Sequence, residues 1–200
     1  MKVGIFSVGG GNLASVQNAL RYLEVQYTLV TDDSHLDGVS HFILPGVGAF
    51  GAAAERLRLA GVPEVIQEHV NRKGKPLLGI CLGMQLLAST SSEFGLHNGL
   101  NLIPGKVVPI TGPRSQHMGW NQVAFQTPSR LFAGLPDQTD FYFVHGYHVL
   151  PETMRVVTAV SDFGSTITSA IEDGNIFGVQ FHPEKSQQAG LLLLRNFVEV

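Results

Sequence analysis

The sequence predicts an α/β protein: a largely parallel central sheet flanked by helices, with an additional β-rich part. Three observations predict it. The first half alternates short apolar runs with segments whose apolar residues recur at helical spacing. Two of those runs end in glycine-bearing turns that lead into helix-like segments, the pattern of βα units. The second half instead carries a succession of short β-patterned runs. In order, Val3 to Val8 reads as the first strand, and a helix follows from about Asn12 to Leu23, with Leu13, Val16, Leu20 and Leu23 along one face. Strands are expected at Tyr27–Val30, His41–Leu44 and Pro76–Ile80, with a helix near Val62–Lys73 before the last of them. The β-rich part comprises Val107–Ile110, Gly119–Phe125, Phe141–Val144, Arg155–Val160, Ile167–Ile171 and Ile176–Gln180. A closing helix begins at Gln187 and carries Leu191, Leu194 and Val198. No repeat, linker or low-complexity tract interrupts the chain, so residues 1–200 are read as one domain.

Composition narrows the function. Two hundred residues, 44% of them hydrophobic, bury a sizeable core but leave no room for a second catalytic domain. A formal charge of −3, only 14% charged residues and no basic run argue against nucleic-acid binding. The apolar start, Met1 to Val8, is too brief for a signal peptide, and no segment reaches the length of a membrane span, so no membrane association is expected. A single cysteine excludes an internal disulfide and fits a reducing cytoplasm.

That cysteine is framed as Gly79-Ile80-Cys81-Leu82-Gly83, where a buried-strand run meets a helix-forming segment. Glycines two residues to either side permit a turn tight enough to push the side chain up from the strand end, as in a nucleophile elbow. A helix starting there directs unpaired N–H groups at the sulfur and favours negative charge on it. Alone, a buried cysteine is usually a small hydrophobe; a packing role, however, explains neither glycine. A base is available in Val179-Gln180-Phe181-His182-Pro183-Glu184-Lys185-Ser186. Pro183 biases His182 towards extended backbone, where residues two apart project to the same side and Glu184 reaches the imidazole. Cys81, His182 and Glu184 then form a triad. The third element is Leu44-Pro45-Gly46-Val47-Gly48, an apolar strand running into a turn whose backbone N–H groups around Val47 and Gly48 are free to face an oxyanion.

Other features carry bland readings. Gly9-Gly10-Gly11-Asn12 lacks the Gly-x-Gly-x-x-Gly spacing of a dinucleotide loop, and no cofactor is expected there. His145 and His148 are three apart but have no Cys or Glu cluster beside them, so no metal is expected either. Met84 and the leucines after it are core.

Pro-Gly-Val-Gly, Gly-Ile-Cys-Leu-Gly-Met-Gln-Leu-Leu and Gly-Val-Gln-Phe-His-Pro-Glu-Lys-Ser, in this order, resemble the triad (class I) glutamine amidotransferases over essentially the whole chain. His117-Met118-Gly119-Trp120-Asn121 and Phe141-Tyr142-Phe143-Val144-His145-Gly146-Tyr147 narrow the resemblance to the glutaminase subunits of imidazole glycerol phosphate synthases, in histidine biosynthesis. The resemblance implies a flavodoxin-like fold, glutamine as substrate and a heterodimer with a cyclase subunit, a (β/α)8 barrel. It implies Cys81 as nucleophile, His182 as base then acid, Glu184 as its orienter, and N–H groups of Val47 and Leu82 as an oxyanion hole, the Val47 peptide reorienting first. Gly48, Gln85, Glu93, His145, Gly146 and Tyr147 match positions that hold the glutamine headgroup, where a carboxylate at Glu93 suits an ammonium. Asn12, Met118, Trp120, Asn121, Tyr142 and Lys185 match positions facing the cyclase. Gln116 stands where relatives carry proline, and Gly146 where they carry serine or threonine; both departures concern substrate affinity rather than the triad. A glutaminase of another pathway, a stand-alone cysteine hydrolase of the same fold and a non-catalytic subunit are the alternatives.

Overall fold

Parallel strands are covered on both faces and so read as near-continuous apolar runs, and the first half of the chain is built from such runs. The structure, a computed structural model, describes residues 1–7, 12–31, 36–111 and 115–200. Strands β1 (Lys2–Phe6), β2 (Gln26–Val30), β3 (Val39–Gly46) and β4 (Leu77–Cys81) are joined by helix α1 (Leu13–Tyr22) between β1 and β2 and by helices α2 (Phe50–Leu59) and α3 (Val62–Ile66) between β3 and β4. A short helix α4 (Leu82–Leu86) leaves β4 directly. The β-rich part adds β5 (Thr90–Ser91), β6 (His97–Asn98), β7 (Gly105–Pro109), β8 (His117–Phe125), β9 (Thr139–His145), β10 (Tyr147–Pro151), β11 (Val157–Asp162), β12 (Thr166–Asp173) and β13 (Ile176–Val179), and helix α5 (Gln187–Val198) closes the described chain. The expected strands are all present with shifted ends, and so are the helices apart from the one over 62–73; Val8 and the Gly9–Gly11 run lie outside the described residues.

Nine strands form one mixed sheet in the order β2-β1-β3-β4-β13-β12-β11-β8-β9. The five from β2 to β13 are parallel and the rest antiparallel. Side-chain alternation sends Phe42, Leu44 and Leu77 to one face of this sheet and Ile43, Leu78 and Ile80 to the other, each face with its own apolar cluster. α5 packs its Leu193, Leu194 and Phe197 on the second face.

Two departures from the sequence reading have physical causes. The segment expected as one helix over 62–73 is α-helical only to Ile66 and continues as a wider π-helical turn, Gln67–Arg72, which buries His69 and Val70. Asn175 Nδ2 donates to the carbonyls of Val70 and Lys75, both at 2.9 Å, so carbonyls at and beyond the irregular turn are satisfied. The second is a four-stranded sheet, β10-β7-β5-β6, of which only β7 was legible. β5 and β6 are two residues each, too short for periodicity, and β10 is divided from β9 by Gly146 alone. At that glycine the chain passes from one sheet to the other.

The elbow depends on close backbone approach. A β-carbon on Gly79 would stand 2.7 Å from the Gly83 carbonyl, and one on Gly83 would stand 1.7 Å from the Leu44 oxygen. Both glycines are therefore steric requirements for seating α4 against β3 and β4. Gly83→Ala is expected to destabilise the protein by on the order of 3 kcal/mol or more, read by urea denaturation, because the intruding methyl meets backbone that cannot yield. A loss below about 1 kcal/mol would show that the helix can shift to accept it.

Candidate active site

Cys81 ends β4 with φ +55° and ψ −110°, a sparsely populated conformation for a residue with a side chain. The turn points the sulfur away from the strand, as an elbow requires. Sγ lies 3.7 Å from Gln180 Nε2, which donates to it, and 3.9 Å from the Val144 carbonyl. His182 follows β13, the strand beside β4, so sheet order alone brings base and nucleophile together.

The His182 ring is wholly buried, and its Nδ1 lies 2.7 Å from Oε1 of the equally buried Glu184 side chain. Nδ1–H donates to the carboxylate, which leaves Nε2 for proton exchange with the thiol. No partner at hydrogen-bonding geometry occupies Nε2 or Glu184 Oε2 among the described residues. Burial opposes charge on the ring, but the nearby Cys81 and the hydrogen-bonded Glu184 outweigh it and raise the pKa from 6.5 to about 9. These neighbours therefore favour the protonated ring. The loop is pinned from two sides. His182 N–H donates to the Tyr142 carbonyl at 2.8 Å, the Tyr142 N–H donates to Ser186 Oγ at 3.0 Å, and that hydroxyl donates to the His182 carbonyl at 2.7 Å.

In front of the thiol is a cavity of about 250 Å³ lined by Val47, Gly48, Cys81, Leu82, Gln85, Glu93, Val144, His145, Gly146 and Tyr147. Nine of these ten are residues the sequence had singled out. Leu82, as first residue of α4, has an N–H without an intrahelical acceptor, and Val47 sits across the cavity on the turn after β3. Glu93 Oε2 accepts the Phe50 N–H at 2.6 Å, so its carboxylate caps α2 at the cavity wall. At Gly146 a β-carbon would stand 3.3 Å from the Ser115 carbonyl, a tight contact that a shift of a few tenths of an ångström would relieve.

The six residues matched to a partner-facing surface do not all share one location. Met118 and Trp120 are 65% and 49% exposed on one face of β8. Trp120 pairs across the strands with Tyr142, their rings 6.0 Å apart edge to face, and Lys185 Nζ lies 5.9 Å from the Tyr142 ring. These four form a contiguous patch beside the triad loop. Asn121 is instead turned to the other face, where its Nδ2 donates to His117 Nε2 and to the Asp162 carbonyl. Asn12 is buried, with Nδ2 donating to Glu184 Oε1 at 2.5 Å, and so touches the triad itself. Sequence reasoning gave no role to Gln180, although it stands two residues before His182 in the quoted motif. Nor did it detect the buried contact between His117 and His145. Among the described residues no group of three potential metal ligands comes together; His145 engages His117 and the Tyr147 carbonyl instead.

Comparison with known proteins bears on family and fold. A family model described as glutamine amidotransferase class-I matches residues 5–200. The imidazole glycerol phosphate synthase subunit HisH of Moorella thermoacetica is 48% identical over 199 residues, covering 99% of this chain and 94% of its own. The subunit of the same name from Pyrococcus furiosus is 43% identical over 197 residues, covering 98% and 97%. Among solved structures, one described as a glutamine amidotransferase superposes with TM-score 0.78 at 21% identity, covering 98% of this chain and 97% of its own, which supports the fold.

Because folding raises the His182 pKa above its ordinary 6.5, proton binding at this ring stabilises the native state; that contribution is complete below pH 6.5 and is lost as pH rises through about 9. The stability advantage of wild type over Glu184→Gln is therefore expected to be largest near pH 6 and to shrink above pH 8 in denaturation curves; a gap constant across that window would remove the imidazolium from the resting site. Asn12→Ala is expected to lower glutamine turnover by about tenfold through loss of a charge-assisted hydrogen bond to Glu184, with the fold intact. Turnover within about twofold of wild type would show that Glu184 is held without it.

Proposed function

The chain belongs to the class-I glutamine amidotransferase family, and from that premise we propose how its residues carry out the reaction. It hydrolyses glutamine to glutamate and ammonia in the imidazole glycerol phosphate synthase complex of histidine biosynthesis. The observation that carries the mechanism is the convergence of elbow, oxyanion turn and headgroup residues on one small cavity, with the His182–Glu184 pair behind the thiol.

Cys81 Sγ attacks the side-chain amide carbon of glutamine while the thiol proton resides on His182. The carbonyl oxygen becomes an oxyanion held by the N–H groups of Leu82 and Val47, the Val47 peptide turning towards it. Collapse of this intermediate breaks the C–N bond, His182 gives its proton to the leaving nitrogen, and ammonia departs, leaving a γ-glutamyl thioester. Water then attacks the thioester with His182 accepting its proton. C–S cleavage releases glutamate and the proton returns to the site. Glu184 keeps the imidazole in the orientation that exposes Nε2 to each of these transfers. Glu93, Gln85 and the backbone of His145, Gly146 and Tyr147 hold the α-ammonium and α-carboxylate of the substrate.

The partner is a (β/α)8 cyclase subunit that consumes the ammonia in forming imidazole glycerol phosphate and an aminoimidazole carboxamide ribonucleotide. Met118, Trp120, Tyr142 and Lys185 face it. An exposed tryptophan, methionine and tyrosine packed together with one cation have the composition of an interface centre. The site of action is the cytoplasm; among the described residues no helix is long and apolar enough to cross a membrane.

Cys81→Ala is expected to abolish glutamine-dependent synthesis by the complex and leave ammonia-dependent synthesis intact. Glutamate release at an unchanged rate would mean that Cys81 is not the nucleophile. The isolated chain should turn over glutamine slowly, and addition of the cyclase with its nucleotide ligand should raise kcat by orders of magnitude, because the oxyanion hole is completed only then. Full activity of the chain alone, unchanged by the partner, would favour a stand-alone hydrolase.

A further inference from the structure

Beside the cavity a line of polar groups, partly buried at Asn121 and buried at the two histidines, runs from β8 to the nucleophile. Asn121 Nδ2 is 3.0 Å from His117 Nε2, His117 Nδ1 is 3.1 Å from His145 Nε2, and His145 Nδ1 is 2.8 Å from the Tyr147 carbonyl. The same carbonyl takes a second hydrogen bond, from Gln85 Nε2 at 2.8 Å. Gln85 Nε2 also donates to Gln180 Oε1 at 3.1 Å, and Gln180 in turn donates to Cys81 Sγ.

The direction of every bond is dictated from the ends. A carbonyl only accepts, so His145 must carry its proton on Nδ1, and in the neutral ring Nε2 is then an acceptor. His117 must answer it with an Nδ1 proton and present Nε2 as an acceptor to Asn121. Asn121 cannot be flipped, because its Nδ2 also donates to the Asp162 carbonyl and its Oδ1 accepts the Gln122 N–H. A proton added to either ring would set two N–H groups against each other somewhere along the line. The surroundings enforce the neutral state. His117 is stacked between Phe143 and Phe163, at 4.3 and 4.2 Å, and burial lowers its pKa to about 4. Burial likewise lowers His145 to about 3, against the raising effect of the bond to Tyr147.

We propose that His117 and His145 are positioning residues for the glutaminase reaction, locked as neutral Nδ1–H tautomers that hold the Tyr147 carbonyl and so fix the amide orientation of Gln85 in the substrate cavity. With both of its N–H bonds engaged, Gln85 has only its Oε1 left to offer, an acceptor suited to an ammonium. The inference rests on the glutaminase reading above.

The test begins with wild-type protein labelled with ¹⁵N-histidine, observed by long-range ¹⁵N–¹H correlation at pH 7. Two Nδ1–H tautomers, at His117 and His145, are expected; either ring charged or protonated on Nε2 overturns the proposal. The second arm is kinetic, in the complex with the cyclase. His117→Phe retains an aromatic ring between Phe143 and Phe163 but deletes both hydrogen bonds, and His117→Asn restores a donor where Nδ1 stood. His117→Phe is expected to raise KM for glutamine about tenfold with kcat changed far less, and His117→Asn to recover most of the loss. An unchanged KM in His117→Phe, or equal loss in both variants, overturns the positioning role. Wild-type glutamate release in the same assay tests the glutaminase reading separately, and the tautomers are read whether or not that reading holds.

Discussion

The site is organised around one steric fact: at Gly83 the first turn of the helix after the cysteine presses so closely on β3 that a β-carbon would penetrate the Leu44 oxygen. This contact forces the chain to turn within one residue of the strand, and that residue, Cys81, absorbs the turn in a left-handed backbone conformation. Strain of this kind costs on the order of 1–3 kcal/mol and persists only where the surroundings over-determine it. Here the surroundings are the fully buried β4 and the two strands that flank it in parallel register. The register sets Gly46 opposite Cys81, so the turn bearing Val47 and Gly48 opens beside the thiol. Nucleophile and oxyanion turn are thus placed by a single packing constraint.

The base is placed by a second device of a different kind. The triad loop is tied through both polar groups of one peptide strand position, the N–H and the carbonyl of Tyr142, with Ser186 closing the loop on itself. The side chain of the same tyrosine lies against Trp120 and Lys185 on the outer surface. A displacement of β9 at that patch therefore moves the backbone to which His182 is bonded, without any intervening flexible segment. Surface contact and acid–base geometry share one residue.

Much of this was legible in the sequence because the chemistry needs unusual residues in fixed order. Paired glycines at 79 and 83 around a lone cysteine signal a tight turn, and a His-Pro-Glu run after an apolar strand predicts where the imidazole and carboxylate will lie. The residues matched to the glutamine pocket converge on one cavity although they come from four separated stretches of chain. What escaped was whatever depends on side-chain direction rather than residue type. Asn12 and Asn121 were grouped with Trp120, yet the alternation of β8 turns Asn121 to the opposite face, and Asn12 is drawn inward by Glu184. The π-helical turn after Ile66 was invisible because apolar spacing there fits an α-helix just as well. Two-residue strands leave no periodic trace at all.

The order of the nine-stranded sheet has a consequence for the chain as it is being made. β13 is inserted beside β4 at the centre of the sheet, though residues joined there, such as Cys81 and Gln180, are 99 positions apart. Synthesis releases the N-terminal half first, so Cys81 is made well before the strand that brings His182 to it. Docking of β13 buries Phe177 and Val179 in the core and delivers His182 in the same step. The pairing of nucleophile and base is thus bound up with closure of the sheet at its centre, where β13 seats against β4.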